Sequence, residues 1–277
     1  MSQFPETRQT LIRRIAEVGA DADWRQFLAD YWKPICRFSA RCGQLNLDDA
    51  EDITSLVFLA ILEGKLFERW LSSPQSKLRT LVCSVVRNVI SNRARVQSGR
   101  ERILRENREF LVQVGRLQGD EDGAVTADQN ELFYAAWAEE LLQRSLDQLQ
   151  QDYLSTGKGD YFRVLYGRIC VEMSNSEVAE SLQLKVTDVE NFFRRARETL
   201  REQLQLAVSE HVRRYCPAEE CDAEIAREWD RLGEYLQRSG GMEVAIRSSY
   251  EFSGELSRRQ KNSQTTILKY VRERHAD

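Results

Sequence analysis

Proline, glycine and histidine are scarce in this chain, and each shortage argues against certain folds or catalytic sites. Only 4 prolines and 14 glycines occur among 277 residues, which favours long helices joined by few loops. The only two histidines are His211 and His275. A glycine-rich phosphate loop, a serine nucleophile elbow and a paired-histidine zinc helix are all missing from the sequence. We therefore expect a binding protein with no catalytic residues and no cofactor.

Long apolar runs are also missing. No stretch of about 18 apolar residues occurs, which excludes a membrane-spanning helix. The chain starts MSQFPETRQTLIRR, without the apolar run of a signal peptide. We expect a cytoplasmic protein that does not contact a membrane.

The six cysteines do not form a familiar metal site. Cys36, Cys83 and Cys170 fall within apolar helical patterns, which is typical of reduced core residues. His211, Cys216 and Cys221 have the spacing H-x4-C-x4-C. Zinc sites usually have two or three residues between cysteines and a fourth ligand nearby, so we expect no metal.

A helix-turn-helix pattern is the clearest feature that is present. Ser174 with Glu177, and Thr187 with Glu190, predict two capping boxes on either side of a short turn. Apolar residues at helical spacing predict the packed faces of both helices. They are Val178, Ala179 and Leu182 in the first helix, and Val189, Phe192, Phe193, Ala196, Leu200 and Leu204 in the second. In this arrangement the second helix can enter a DNA major groove.

The polar face of that second helix supplies candidate DNA contacts. Four arginines follow on this helix and are placed to meet phosphates. Those arginines are Arg194, Arg195, Arg197 and Arg201. A plain helical hairpin with a solvated arginine face fits the same pattern, and Asp188 and Glu190 would repel phosphate.

Charge is unevenly distributed although the net charge is only −4. Residues 44–64 carry five acids and no bases, residues 76–116 ten bases and three acids, and residues 118–160 ten acids and two bases. A basic belt between acidic blocks is typical of a protein with one nucleic-acid face and one face for a basic protein partner.

The basic belt begins on an amphipathic helix predicted over residues 77–95. Its apolar residues, Leu78, Leu81, Val82, Val85, Val86, Val89 and Ile90, are predicted to face the core. The opposite side carries Arg79, Arg87, Asn88, Arg93 and Arg95, as needed on a nucleic-acid backbone. A solvated basic face is the alternative.

The two segments before that helix differ in character. Asp48 and Glu51 predict a capping box for an acid-rich helix that buries Ile53, Val57, Ala60 and Ile61. Residues 65–76 read as a connection that carries Phe67, Arg69 and Trp70. These aromatics either stack on an unpaired base or cap the core.

The second half of the chain contains further amphipathic helices. Residues 118–127 are rich in glycine and acids, which predicts a flexible linker. The next helix is predicted to bury Leu132, Phe133, Ala136, Trp137, Leu141, Leu142, Leu146 and Leu149, and another follows on Tyr161, Phe162, Leu165 and Ile169. Beyond residue 211, a helix is predicted from Ala223 onward.

Together these motifs resemble the extracytoplasmic-function (ECF) sigma factors, bacterial transcription initiation subunits, and in the 131–159 segment their longer planctomycete-type members. The matching residues in region two are Asp49-Ala50-Glu51-Asp52-Ile53, Val57-Phe58, Leu78-Arg79-Thr80-Leu81 and Val86-Arg87-Asn88-Val89. Those in region four are Glu177-Val178-Ala179, Leu182-Gln183-Leu184, Val189, Arg195-Ala196-Arg197 and Leu200-Arg201. The resemblance covers about residues 1–210.

The resemblance implies an all-α fold with two small helical domains. It divides the chain into a region-two-like domain (1–117), a linker (118–130), a helix-turn-helix domain (131–210) and a C-terminal extension (211–277). It implies core RNA polymerase and promoter DNA as partners, with an anti-sigma factor or other regulator as a further one.

The resemblance also implies roles for individual residues. Polymerase would be bound by Asp49, Glu51, Asp52, Ser55, Leu56, Phe58 and Leu59. DNA would be bound and opened by Arg69, Trp70, Arg79, Arg87, Asn88, Arg93 and Arg95, and read by Thr187, Glu190, Asn191, Arg194, Arg195 and Arg197.

Two other functions fit the sequence. A helix-turn-helix regulator that binds DNA without polymerase would explain the basic belt but not the acidic helix. A regulatory interaction protein that has lost promoter binding would explain three departures from the family pattern. Ser55-Leu56 stands where the family commonly has Gln-Glu, Gln183 where it has glycine, and Asp188 and Glu190 where it has basic or small polar residues.

Overall fold

The computed structural model describes residues 10–72, 78–97, 126–250, 256–261, 263, 267–269 and 271. Every secondary-structure element in these ranges is helical, which confirms the all-α prediction. The first five helices are α1 (Leu11–Glu17), α2 (Asp21–Gly43), α3 (Leu47–Glu63), α4 (Leu66–Ser72) and α5 (Leu78–Gln97). Six more follow: α6 (Ala127–Ser155), α7 (Gly159–Ile169), α8 (Asn175–Leu182), α9 (Val186–Tyr215), α10 (Cys221–Arg238) and α11 (Met242–Tyr250).

The chain forms two compact units. Unit 1 comprises Met1–Trp137 and Gly254–Asp277, and unit 2 comprises Ala138–Ser253. The boundary therefore falls inside α6, whereas the sequence suggested a linker at 118–130. Residues 127–130 of that span are helical, and residues 118–125 lie outside the described ranges. The extension predicted at 211–277 is divided between the two units.

Unit 1 is built around a cluster of aromatic side chains. The Phe27 ring lies 5.0 Å from Phe67 and 5.7 Å from Phe58, and Trp24 lies 6.0 Å from Phe67. Phe67 therefore caps the core, as one of the two interpretations held. Phe58, which was predicted to bind polymerase, is 1% exposed and belongs to this cluster. The segment expected as a connection forms the short helix α4 over Leu66–Ser72, and residues 73–77 lie outside the described ranges.

Apolar faces follow the predicted spacing in both helices that flank this segment. Ile53, Val57, Ala60 and Ile61 of α3 are buried. In α5, all the predicted core residues are buried except Ile90, which is half-buried. α2 packs against both helices, so the three form the body of unit 1.

Several helix ends differ from the predictions. Asn46, rather than Asp48, caps α3, because its side-chain oxygen accepts the Asp49 N–H at 2.9 Å. α9 begins at Val186 after Lys185, so the capping box predicted for Thr187 and Glu190 does not form. α2 ends at Gly43, and the next residue, Gln44, adopts the left-handed conformation with φ of 49°.

Unit 2 contains the helix-turn-helix and the helices that surround it. α9 runs for 30 residues and extends past the predicted end at Leu204. α7, α8 and α10 pack against it, and α11 packs against α7 and α10. α10 starts at Cys221, close to the helix start expected at Ala223.

The core of α6 was predicted correctly except at its start. Phe133, Ala136, Trp137, Leu141, Leu142, Leu146 and Leu149 are buried. Leu132, by contrast, is 40% exposed. No helix in the described ranges is long and apolar enough to cross a membrane.

All six cysteines are free. Cys36 and Cys83 are buried as predicted, whereas Cys170 is only half-buried at the end of α7. Burial raises the pKa of the Cys36 thiol to about 11, so this thiol stays protonated and acts as a small apolar core group.

Candidate nucleic-acid interface

The first helix of the helix-turn-helix starts at a complete capping box, as predicted. Ser174 Oγ accepts the Glu177 N–H at 3.2 Å, and the Glu177 carboxylate accepts the Ser174 N–H at 2.7 Å. Hydrogen bonds to the Glu177 carboxylate, from the Ser174 backbone first and the Ser174 side chain second, lower the pKa of Glu177. The start of α8 is thus held by two reciprocal hydrogen bonds.

The turn between the helices uses a non-glycine residue in a left-handed conformation. Gln183 has φ of 56°. The Leu184 N–H donates to the Ala179 carbonyl at 2.9 Å, which closes the last turn of α8. The left-handed residue thus ends α8 directly before α9 begins.

A small apolar core sets how closely the helices approach. Val164, Val178, Ala179 and Val189 are buried together, with Leu182, Phe192 and Phe193 at the edge. At Gly167 of α7, an added Cβ would lie 3.2 Å from Val178 Cγ2, so α7 and α8 meet closely there. This contact fixes α8 against the rest of unit 2.

Aromatic stacking holds the start of α9 in place. The Tyr161 ring stacks on Phe192 at 4.2 Å, and Tyr153 lies 5.3 Å from Tyr161. The Tyr153 hydroxyl donates to Thr199 Oγ1 at 3.1 Å, which connects α6 to α9 about two turns beyond Phe192. Rigid support of this kind is what a groove-reading helix requires.

The outer face of α9 carries all the residues predicted to read DNA. The side chains of Thr187, Glu190, Asn191, Arg194, Arg195, Arg197 and Arg201 are exposed. Asn175 donates to Glu190 at 3.5 Å, and Arg194 donates to Glu198 at 3.3 Å. Both contacts lie at the surface, where such pairs contribute at most about 1 kcal/mol, so the side chains can exchange them for a ligand.

One contact on this face could not be foreseen from the motif. Glu243 of α11 lies 3.5 Å from Arg197, and both side chains are 46% exposed. The Arg197 guanidinium also lies 5.6 Å from the centre of the Phe193 ring. A carboxylate from the C-terminal extension thus occupies part of the predicted phosphate-binding surface.

In unit 1, Arg79 has a different environment from the one predicted. Its guanidinium lies 4.7 Å from the Trp137 ring centre and 5.1 Å from the Tyr134 ring centre. Arg79 is half-buried between α5 and the first part of α6. It therefore joins two helices instead of facing outward toward phosphate.

Arg93 also has a partner within the protein. Its Nη2 lies 2.5 Å from Asp49 Oδ1, and its Nη1 donates to the Asp49 carbonyl at 3.1 Å. The resemblance assigned Arg93 to DNA and Asp49 to polymerase. The structure pairs them, so in this conformation neither side chain is available for its assigned contact.

The other predicted residues of unit 1 differ in exposure. Arg69 is exposed, and Trp70, Arg87 and Asn88 are half-buried. Burial raises the pKa of the Cys83 thiol to about 12, and the nearby Arg87 acts in the opposite direction. The helical backbone includes Arg95, whose side chain lies outside the described part of the chain, as do residues 98–116 of the basic belt.

The acidic start of α3 forms a surface with two kinds of residue. Asp52 is exposed, and Ser55, Leu56 and Leu59 are half-buried on the same helix. Asp48 and Glu51 instead form ion pairs with Arg259 of the C-terminal extension, at 2.6 Å and 3.1 Å. No local pattern predicts this pairing, because the partners are more than 200 residues apart.

The residues of the H-x4-C-x4-C segment, considered above as metal ligands, contact other groups of the protein. His211 is buried and its ring lies 4.8 Å from Tyr215, while the Cys221 thiol donates to the Cys216 carbonyl at 3.6 Å. Within the described ranges, no group of three histidine, cysteine or acidic side chains is arranged to hold a metal.

Comparison of the chain with models of known protein families, with curated proteins and with solved structures finds no match. The functional interpretation of the outer face of α9 and of the acidic start of α3 therefore depends on the geometry and charge of these two surfaces.

Proposed function

We propose that this protein is a transcription initiation factor that binds core RNA polymerase and directs it to specific promoters. The observation that carries this proposal is the exposed polar and arginine-rich face of α9, held on a rigid helix-turn-helix. Such a face suits a major groove, where a helix can contact base edges and phosphates together.

Each part of that face has a proposed task. Asn191 can pair with adenine and Arg194 with guanine, and each good bidentate pair discriminates between bases by about 1–3 kcal/mol. Arg195 and Arg201 are exposed on the same helix and suit phosphate contacts, which position the helix on the duplex. Arg197 would have to exchange Glu243 for phosphate.

Unit 1 supports the proposal through the acidic surface of α3. Asp52, with the half-buried Ser55, Leu56 and Leu59 beside it, offers a patch for a basic protein partner such as the polymerase. Arg69 and Trp70 of α4 are the residues best placed to receive a base that leaves the stack during promoter opening. RNA synthesis itself would belong to the polymerase.

The proposal is tested by run-off transcription with bacterial core polymerase on genomic fragments. Wild-type protein should produce discrete transcripts, and the double variant Asn191→Ala, Arg194→Ala should remove them without weakening binding to core polymerase. Arg213→Ala is the matched control, because Arg213 is exposed on the same helix about 29 Å further along. A folded wild-type protein that neither binds core polymerase nor yields transcripts would refute the proposal.

A stand-alone DNA-binding regulator is the second candidate. It is favoured by the engagement of Asp48, Asp49 and Glu51 inside the protein, which leaves less acidic surface for a polymerase. This function predicts tight binding to duplex operators without polymerase, with a dimer that spans two half-sites. Electrophoretic mobility shifts with and without core polymerase separate the two candidates.

A further inference from the structure

The described C-terminal residues of unit 1 contact the start of α3. We call these residues, 256–261, 263, 267–269 and 271, the tail; all are helical. Leu256, Ser263, Ile267, Leu268 and Val271 are buried, whereas Lys261 and Lys269 are exposed. The tail therefore combines buried, mostly apolar residues with exposed lysines.

The tail makes its polar contacts with the acidic turn of α3. Arg259 Nη1 lies 2.6 Å from Asp48 Oδ1 and 3.1 Å from Glu51 Oε2, and only 20% of the Arg259 side chain is exposed. Ser263 Oγ donates to the other Glu51 oxygen at 2.5 Å. Both oxygens of Glu51 are therefore occupied by the tail.

A third residue extends the contact to α2. Gln260 Nε2 lies 3.4 Å from the Leu28 carbonyl and 3.5 Å from the Ala29 carbonyl. The polar contacts with α2 and α3 thus come from Arg259, Gln260 and Ser263, which lie within about one helical turn of each other. This arrangement places a basic helical segment on an acidic site.

We infer that the tail is an intramolecular competitor of core polymerase for the acidic surface of α3. A partner that offers lysine or arginine to Glu51 requires the two carboxylate oxygens that Arg259 and Ser263 occupy. Binding of that partner at Glu51 and docking of the tail are then mutually exclusive, so the tail lowers the affinity for polymerase. This inference rests on the proposed function, because Glu51 directly precedes Asp52 of the patch proposed for polymerase.

The charge of Arg259 provides the test. Arg259→Glu places a third carboxylate beside Asp48 and Glu51, and the repulsion should release the tail in the full-length protein. Arg258→Glu is the matched control, since it makes the same charge change at an exposed neighbouring residue. We expect Arg259→Glu to tighten binding to immobilised core polymerase by roughly 5- to 150-fold, the usual range of coupling between two binding events. Arg258→Glu should leave it within about two-fold of wild type.

Amide hydrogen exchange gives a second readout that needs no variant. Residues 256–261 of the wild-type protein should be protected when free and should exchange faster when core polymerase is bound. Tail amides that stay protected in the polymerase complex would overturn the inference, as would equal polymerase affinity of wild type and Arg259→Glu. If no form of the protein binds core polymerase, the proposed function itself fails, and this result is distinguishable from the other two.

Discussion

Two helices whose arginines were predicted to bind nucleic acid, α5 and α9, use this residue in opposite ways. In α5, Arg79 lies against aromatic rings and Arg93 against Asp49, so both are bound within unit 1. In α9, Arg194, Arg195 and Arg201 are exposed on the outer face of unit 2. An arginine opposite an apolar stripe therefore does not by itself indicate a nucleic-acid contact. The groups contributed by other helices decide whether it stabilises the fold or faces a ligand.

The largest effect that would test this difference is expected at Arg79. Arg79→Ala removes a guanidinium that lies on two rings and the packing of its stem, so the free energy of unfolding should fall by about 2–3 kcal/mol. Arg195→Ala, on the exposed face of α9, should change it by no more than about 0.5 kcal/mol. Urea denaturation of both variants makes the comparison. Equal free energies of unfolding for the two variants would contradict a structural role of Arg79.

A smaller effect is expected from the pair of Arg93 and Asp49. The two side chains are 23% and 36% exposed, so solvent screens their attraction only in part. A double-mutant cycle with Arg93→Ala and Asp49→Ala should give a coupling of about 0.5–1.5 kcal/mol. A coupling indistinguishable from zero would return both residues to the list of candidate ligand contacts.

Arg195 should show a comparable effect on DNA binding instead of stability. Arg195→Ala should weaken binding by roughly five-fold at about 0.1 M salt and reduce the slope of log K against log salt by about 1. Fluorescence anisotropy with labelled duplexes at several salt concentrations measures both values. A loss confined to one DNA sequence would contradict a phosphate contact, because phosphates carry no sequence information.

The smallest effect is expected at Glu177, whose exposed carboxylate belongs to the capping box at the start of α8. The pKa of Glu177 is lowered below its ordinary value of 4.5, so its contribution is fully present above that pH. The contribution is lost as the pH falls through the lowered folded-state pKa. Wild type should therefore lose more thermal stability between pH 5 and pH 3 than Glu177→Gln. Identical pH dependence of the two melting temperatures would show that the capping box does not act through its charge.

The local features of both units could be predicted from the sequence. Helical spacing predicted the buried faces of α3 and α5, and Ser174 with Glu177 predicted the start of α8, because these depend on residues a few positions apart. It was harder to predict which of two neighbouring residues caps a helix. Asn46 and Asp48 are both good capping residues, and only the folded chain shows that Asn46 accepts the hydrogen bond.

Contacts between distant segments could not be predicted. Arg259 meets Asp48 and Glu51 across more than 200 residues, and no local pattern marks that pairing. Arg79 resembled other basic-face residues until the rings of α6 were placed beside it. Phe58 read as part of a polymerase-binding motif, although its ring completes the aromatic core with Phe27. These differences arise where tertiary packing overrides what a single helix specifies.

The division of unit 1 between two distant parts of the chain has a consequence for synthesis in the cell. Its residues 254–277 are translated after the whole of unit 2. At about 5–20 residues per second, the roughly 115 intervening residues delay them by about 6–23 s. During that interval the nascent chain presents α3 without the helix that later covers it. A newly made molecule thus passes through an open form that the mature protein revisits only when the tail is released.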